Sequence, residues 1–353
     1  MNCAWEQSAA REVCLEVCID DTMSMLPGRL HAMKRPESWI RRTQFGLLEA
    51  IVLDNGLLRL TVVPELGGKI VCLGRLESGH EFHLQPSEPK RAYRPRSYGA
   101  KFDDYEPSGF DECVPTIAEC RYPEEPFSSR LCPDHGDVWC LPSSAEIVGE
   151  QIILATSLRS LPLLFSKKVQ LQANTVRIDY EVTNLNSSTV KFLWSAHPLL
   201  IVESETEIVL PEEVKEVEIG WSRGERLGKS GDRCRWPNAM ESSGQLVQLN
   251  RAISASAGTA EKVFTPRLSE GFCGLFLSRA NESIAFRFDT RLVPYVGIWV
   301  CQVDGRTTGL ARTSPLLSNL VTAGPILCKR RSGAMNARRF PAMGVCNGGS
   351  RSK

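Results

Sequence analysis

Five histidines occur in the 353 residues, and two of them stand in stretches that also carry acids or turn residues. C-P-D-H-G-D-V-W at 132–139 sets His135 between Asp134 and Asp137, with Gly136 and Trp139 close by. W-S-A-H-P-L-L at 194–200 puts His197 at the end of an apolar run, just before a proline, and S-G-F-D-E-C-V-P-T-I at 108–117 supplies Asp111 and Glu112. Imidazole gains and loses a proton near neutral pH, and carboxylates accept or orient protons, so this set suits proton transfer between oxygens of a small polyol. Each stretch also has a plainer reading. Asp and Gly are preferred turn formers, adjacent carboxylates usually sit in solvent, and histidines are commonly of intermediate burial. Pro198 weighs against a plain core role for His197, because it cannot donate to a ladder and holds its neighbour extended, which aims the imidazole at a rim. Trp139, Trp194 and Trp299 either fill a core or offer aromatic faces to a pyranose ring.

The elements that must position these residues read as strands. From about residue 48 the chain runs L-E-A-I-V-L-D, L-L-R-L-T-V-V-P and G-K-I-V-C-L-G-R-L, short β-branched runs separated by N-G, P-E and G-G. In V-R-I-D-Y-E-V, Val176, Ile178, Tyr180 and Val182 alternate with polar residues, the period of a strand with one solvated face. Further strands are expected at 206–210, 244–249, 273–278, 283–288 and 295–301. With no long amphipathic helix between them, these runs predict an all-β, large antiparallel β-sandwich rather than βαβ units. Residues 1–45, with weak helical periodicity around Ala9–Ile19, are expected to form a partly disordered extension. Residues 46–323 form the sandwich, and the Arg-, Gly- and Ser-rich stretch 324–353 is expected to be a poorly packed tail.

Lys plus Arg total 42 against 41 Asp plus Glu, so no global field draws in nucleic acid or an anionic membrane surface. A small neutral partner is the default, taken by a monomer or homodimer. No apolar run approaches the roughly 20 residues needed to span a bilayer, and the first thirty residues lack a signal-peptide pattern, so a soluble, cytoplasmic protein is expected. Thirteen cysteines are scattered singly with no C-x-x-C pair, which predicts reduced thiols rather than a disulfide framework or a zinc site.

Taken in order, P-E-L-G-G-K-I-V-C-L at 64–73, G-F-D-E-C-V-P-T-I at 109–117, P-D-H-G-D-V-W at 133–139 and W-S-A-H-P-L-L at 194–200 resemble the galactose mutarotase-like (aldose 1-epimerase) superfamily, in particular its branch carrying D-E-C-x-P-T and D-H-G. The resemblance spans roughly residues 48–300. It implies a supersandwich whose open concave face binds a monosaccharide, with no metal or other cofactor. In such enzymes a glutamate removes the anomeric hydroxyl proton and a histidine protonates the ring oxygen, so that the ring opens and recloses as the other anomer. His197 matches the histidine assigned as the acid, and His135 matches the one that binds or polarises the substrate. Asp111 and Glu112, with Asp134, Trp139 and Trp299, are the expected substrate-binding residues.

The chain departs from the pattern near its C-terminus. Where the family carries its catalytic glutamate, this chain reads T-T-G-L-A-R-T-S-P-L-L-S-N-L, and no Glu follows Glu282. Arg312 stands about where the acid is expected, and a guanidinium is no base at neutral pH; the nearest carboxylate is Asp304. Divergence here also bears on the fold, because a missing last strand would leave an unpaired sheet edge. Four readings therefore stand: an aldose 1-epimerase-like enzyme; a sugar-binding protein of the same fold without turnover; a metal-dependent hydrolase using His80, His83 and His135; and a glycoside hydrolase using Asp111 or Glu112. Lys90, Arg91, Arg94 and Arg96 form a basic loop that suits a sugar phosphate or plain solvation.

Overall fold

A computed structural model describes residues 13–20, 38–87, 93–253, 257–302, 317–321 and 326–328. Two large antiparallel sheets stack face to face. The smaller has eight strands in the order Glu207–Val209, Phe272–Leu277, Glu282–Arg287, Val13–Asp20, Thr175–Asn184, Leu163–Gln172, Gln151–Ser157 and Ser144–Val148. The larger has eleven, ordered Arg233–Arg235, Glu216–Ser222, Thr259–Phe264, Gly297–Gln302, Leu317–Val321, Ser195–Ile201, Phe110–Cys113, Lys69–Arg75, Leu58–Val63, Leu48–Asp54 and Trp39–Phe45. Neighbouring strands in both sheets are antiparallel. The expected strands at 206–210, 244–249, 273–278, 283–288 and 295–301 are all present within a residue or two.

Alternation places the core between the sheets. In Thr175–Asn184 every second residue is buried, and Val176, Ile178, Tyr180 and Val182 join the inter-sheet cluster. From the larger sheet that cluster receives Phe110, Ala196, Leu200, Val263 and Ile298, so the residues between them in sequence turn to the opposite, outer face.

Two strands fall within the predicted extension over 1–45, whose residues 1–12 and 21–37 lie outside the described residues. Val13–Asp20 lies inside the smaller sheet, paired on both sides. Leu15, Val17 and Ile19 are buried in the core, and full burial of such side chains contributes about 1.5–3 kcal/mol each. Cys14, Glu16 and Cys18 alternate with them and are half-buried, so the period is two rather than helical. Trp39–Phe45 forms one edge of the larger sheet. Toward the other end of the chain, Leu317–Val321 pairs with both Gly297–Gln302 and Ser195–Ile201, so these two strands are not left with unpaired edges there. Within the predicted tail, Ile326–Cys328 pairs with Val190–Phe192, and residues 329–353 lie outside the described residues. Asp304 and Arg312 also lie outside them.

Candidate functional site

The four sequence motifs meet on the outer face of the larger sheet. Asp111 and His197 are direct cross-strand partners, which puts their side chains on one face. The D-H-G loop docks onto the acidic motif through its backbone: His135 N donates to Ile117 O at 2.8 Å and Asp137 N to Val114 O at 2.6 Å. Gly136 is required there, since it has φ +75° and a Cβ would collide with the Val114 carbonyl. Gly67 of P-E-L-G-G, at φ +77°, likewise passes against the Val138 carbonyl. The glycine motifs thus fasten the histidine loop over the sheet.

His135 itself has φ +56°, a left-handed conformation uncommon outside glycine and enriched at functional positions. Its Nδ1 lies 3.0 Å from Asp134 Oδ1, and the Phe102 backbone N–H donates to Asp134 Oδ2 at 2.8 Å. Burial works against the charged Asp134, but these hydrogen bonds outweigh it and hold the carboxyl below its usual range. The Phe102 ring stacks on His135 at 4.2 Å and meets His197 edge-on at 5.2 Å. The two imidazoles are 5.3 Å apart, ring to ring.

His197 differs from the predicted rim position. It lies within Ser195–Ile201 and is buried beneath the His135 loop, and its Nδ1 has no hydrogen-bond partner among the described residues. Burial and the neighbouring His135 push its pKa well below the ordinary value despite Asp111, so the ring is neutral at physiological pH. Its strand partner Asp111 is fully engaged, by Lys69 Nζ at 2.6 Å and Arg96 Nη1 at 3.2 Å. Burial opposes this charge as well, yet the two cations hold Asp111 at about 2. Burial in turn lowers Lys69 to about 8.

Glu112 is not brought to the site. Consecutive strand residues face opposite ways, so Glu112 enters the inter-sheet interior, where Lys167 Nζ contacts both carboxylate oxygens at 2.6 and 2.7 Å and Tyr180 donates at 3.1 Å. Asp111 and Glu112 therefore lie on opposite faces of the larger sheet, and only Asp111 stands beside His197. Asp137 is fully buried and accepts from Ser160 N–H at 2.8 Å. Trp139 is buried under the loop, donating to the Asp134 carbonyl at 2.8 Å and lying against Phe102, so it supports the site rather than facing a ligand. Trp194 is in the inter-sheet core against Tyr180. Trp299 is the predicted aromatic that reaches the outer face: half-buried, packed at the margin of the Phe102, Trp139 and Leu199 cluster and stacked on exposed Trp221 at 5.3 Å.

Of the basic loop, Arg96 is buried in its bonds to Asp111 and the Trp139 carbonyl, Arg94 lies over the Tyr105 ring, and Lys90 and Arg91 fall outside the described residues. Among the described residues no three His, Cys, Asp or Glu side chains gather as a metal would need. His83 is buried against Phe110 rather than beside His135, and burial lowers its pKa to about 3. Residues missed by sequence reasoning include Lys69, Phe102 and Lys262. Lys262 is the cross-strand partner of Trp299, and its charge is felt by His197.

An antiparallel supersandwich with a histidine pair on its outer face invites comparison with solved structures. No protein-family model matches the sequence, and no curated protein does. Among solved structures, the Slr1438 protein of Synechocystis sp. PCC 6803 superposes with a TM-score of 0.56 at 14% identity, covering 86% of this chain and 95% of its own. A galactose mutarotase related enzyme from Lactobacillus acidophilus superposes with a TM-score of 0.51 at 15% identity, covering 83% and 93%. The fold is galactose mutarotase-like. A galactose mutarotase-like protein from Lactobacillus casei gives a TM-score of 0.50 at 13% identity over 81% of this chain and 90% of its own. Identities this low speak for the galactose mutarotase-like fold alone. No helix among the described residues is long and apolar enough to cross a membrane.

Proposed function

We propose that the protein binds a monosaccharide on the outer face of its larger sheet and interconverts the sugar's anomers, with His135 as proton carrier. The observation that carries this reading is the Asp134–His135 pair set 5.3 Å, ring to ring, from a neutral buried His197. A carboxylate on Nδ1 fixes the tautomer that leaves Nε2 as the base and stabilises the imidazolium formed when it takes a proton. His135 removes the proton of the anomeric hydroxyl. The electron pair of that O–H bond becomes the carbonyl π bond, the bond from C1 to the ring oxygen breaks, and the ring oxygen receives the proton. Rotation about C1–C2 and the reverse steps give the other anomer. This inverts the roles implied by the resemblance: His197, neutral through burial, polarises the sugar by hydrogen bonding, and His135 moves the proton. Trp299 offers its half-exposed ring to the sugar face.

A second reading, sugar binding without turnover, is favoured by one observation. The carboxylate beside His197, Asp111, is committed to Lys69 and Arg96, and no Glu follows Glu282 to replace the family's base. Polarimetry on freshly dissolved α-D-glucose and α-D-galactose separates the two. The first reading predicts accelerated mutarotation that falls about 10²–10⁴-fold in His135→Asn, a residue that tolerates the left-handed backbone. Saturable binding with no acceleration supports the second reading, and absence of both contradicts the sugar site altogether.

A further inference from the structure

The two-strand ladder that leads into the D-H-G loop carries a pair of thiols. Cys120–Arg121 and Leu131–Cys132 are antiparallel, with Cys120 directly opposite Cys132. Two positions along, past Arg121 and Leu131, the Tyr122 N–H donates to the Arg130 carbonyl at 2.9 Å. Directly opposed antiparallel residues have Cα atoms about 4.5–5.5 Å apart, inside the roughly 4.4–6.8 Å that disulfides span. The two side chains are close neighbours, since Cys120 raises the pKa of the Cys132 thiol. Cys132 is buried, while Cys120 is half-buried and its thiol donates to Thr116 Oγ1 at 3.7 Å. Cys120 is therefore the less buried of the two sulfurs, the one an oxidant meets first, with the buried Cys132 opposite it to resolve the adduct. No other pair of described cysteines stands opposed in a strand register.

We propose that Cys120 and Cys132 are a reversible oxidation site, closing to a disulfide that clamps the base of the loop bearing His135. With a small-molecule disulfide such as glutathione disulfide as oxidant, the Cys120 thiolate attacks one sulfur and displaces a glutathione thiolate. Cys132 then loses its proton, attacks the Cys120 sulfur of the mixed disulfide and displaces the second glutathione thiolate. The two protein thiols give up two electrons and two protons, which leave as two glutathione thiols. The bond joins the strand running out of the acidic motif, three residues past Ile117 whose carbonyl holds the His135 N–H, to the residue three before His135.

The test uses the full chain. It is incubated with glutathione disulfide, free thiols are alkylated, and the tryptic peptides are sequenced by tandem mass spectrometry. The expected product joins the peptide 102–121 to the peptide 131–159 with fragment ions placing the link at Cys120 and Cys132, and it disappears on treatment with dithiothreitol. Cys120→Ser abolishes this link and leaves Cys132 open to alkylation once the chain is denatured. Recovery of both cysteines as alkylated free thiols from the oxidised wild type overturns the proposal, as does a link that runs through Cys113 or Cys140 instead. Because the wild-type product decides the matter, the proposal does not depend on the variant's folding.

Discussion

Replacing Glu112 by Gln tests how the acidic motif divides its labour. Gln keeps the shape and one acceptor oxygen but removes the charge facing Lys167, whose ammonium touches both carboxylate oxygens at 2.6 and 2.7 Å. Both side chains are completely excluded from solvent. An exposed pair would contribute only about 0–1 kcal/mol, but removing one member of a buried pair leaves an uncompensated charge and costs about 3–5 kcal/mol. That is a large share of the roughly 5–15 kcal/mol that holds an ordinary domain together. The loss should appear in urea unfolding as a lower midpoint with an unchanged slope, and Lys167→Met in the same chain should restore most of it. Because Glu112 points between the sheets while Asp111 faces His197, sugar affinity measured by saturation-transfer NMR should stay within about twofold. An unchanged midpoint together with a tenfold loss of affinity would refute this division and return Glu112 to the site.

Other outcomes follow from the same geometry. Buried neutral His83, lowered to about 3, makes stability full above the unfolded value near 6.5 and lost as pH falls toward 3, at up to about 1.4 kcal/mol per pH unit. His197 shifts in the same direction, so urea midpoints measured from pH 7 to 4 should decline, and His83→Gln should flatten part of the slope. Asp111, held at about 2, adds a further loss only between about pH 4 and 2. Val17→Asp buries an unpaired carboxyl at the centre of the smaller sheet and should leave the chain insoluble or largely unfolded by circular dichroism; a folded, soluble variant would contradict the central place of Val13–Asp20. Asp134→Asn should slow anomer exchange by at least tenfold while binding persists, because it removes the charge that stabilises the His135 imidazolium.

Alternation made the sandwich legible: Val176, Ile178, Tyr180 and Val182 announce their strand, and their burial follows the same period. Val13–Asp20 carries the same period in Leu15, Val17 and Ile19, but the surrounding helical periodicity masked it, and nothing local shows that it is sandwiched between strands from residues 175–184 and 282–287. The acidic motif misled for a related reason. All four residues of Phe110–Cys113 are buried, so no polar face marks which carboxylate faces the site. His135 and His197 carry a chemical signature in the sequence, and the structure places their rings 5.3 Å apart. Phe102, which stacks on one imidazole and abuts the other, carries no chemical signature, and Lys69 belongs to a glycine motif that reads as a turn. Trp139 and Trp299 look alike in sequence; only the larger sheet's register separates the buried pillar from the aromatic on the open face.

The most direct measurement is a titration of the full chain with D-galactose and D-glucose, followed by the imidazole nitrogen signals in NMR. With both rings at one sugar site, the His135 and His197 signals move together along a single saturable curve, while His83, packed against Phe110, stays put. Saturable sugar binding that leaves His135 and His197 unmoved would contradict the site.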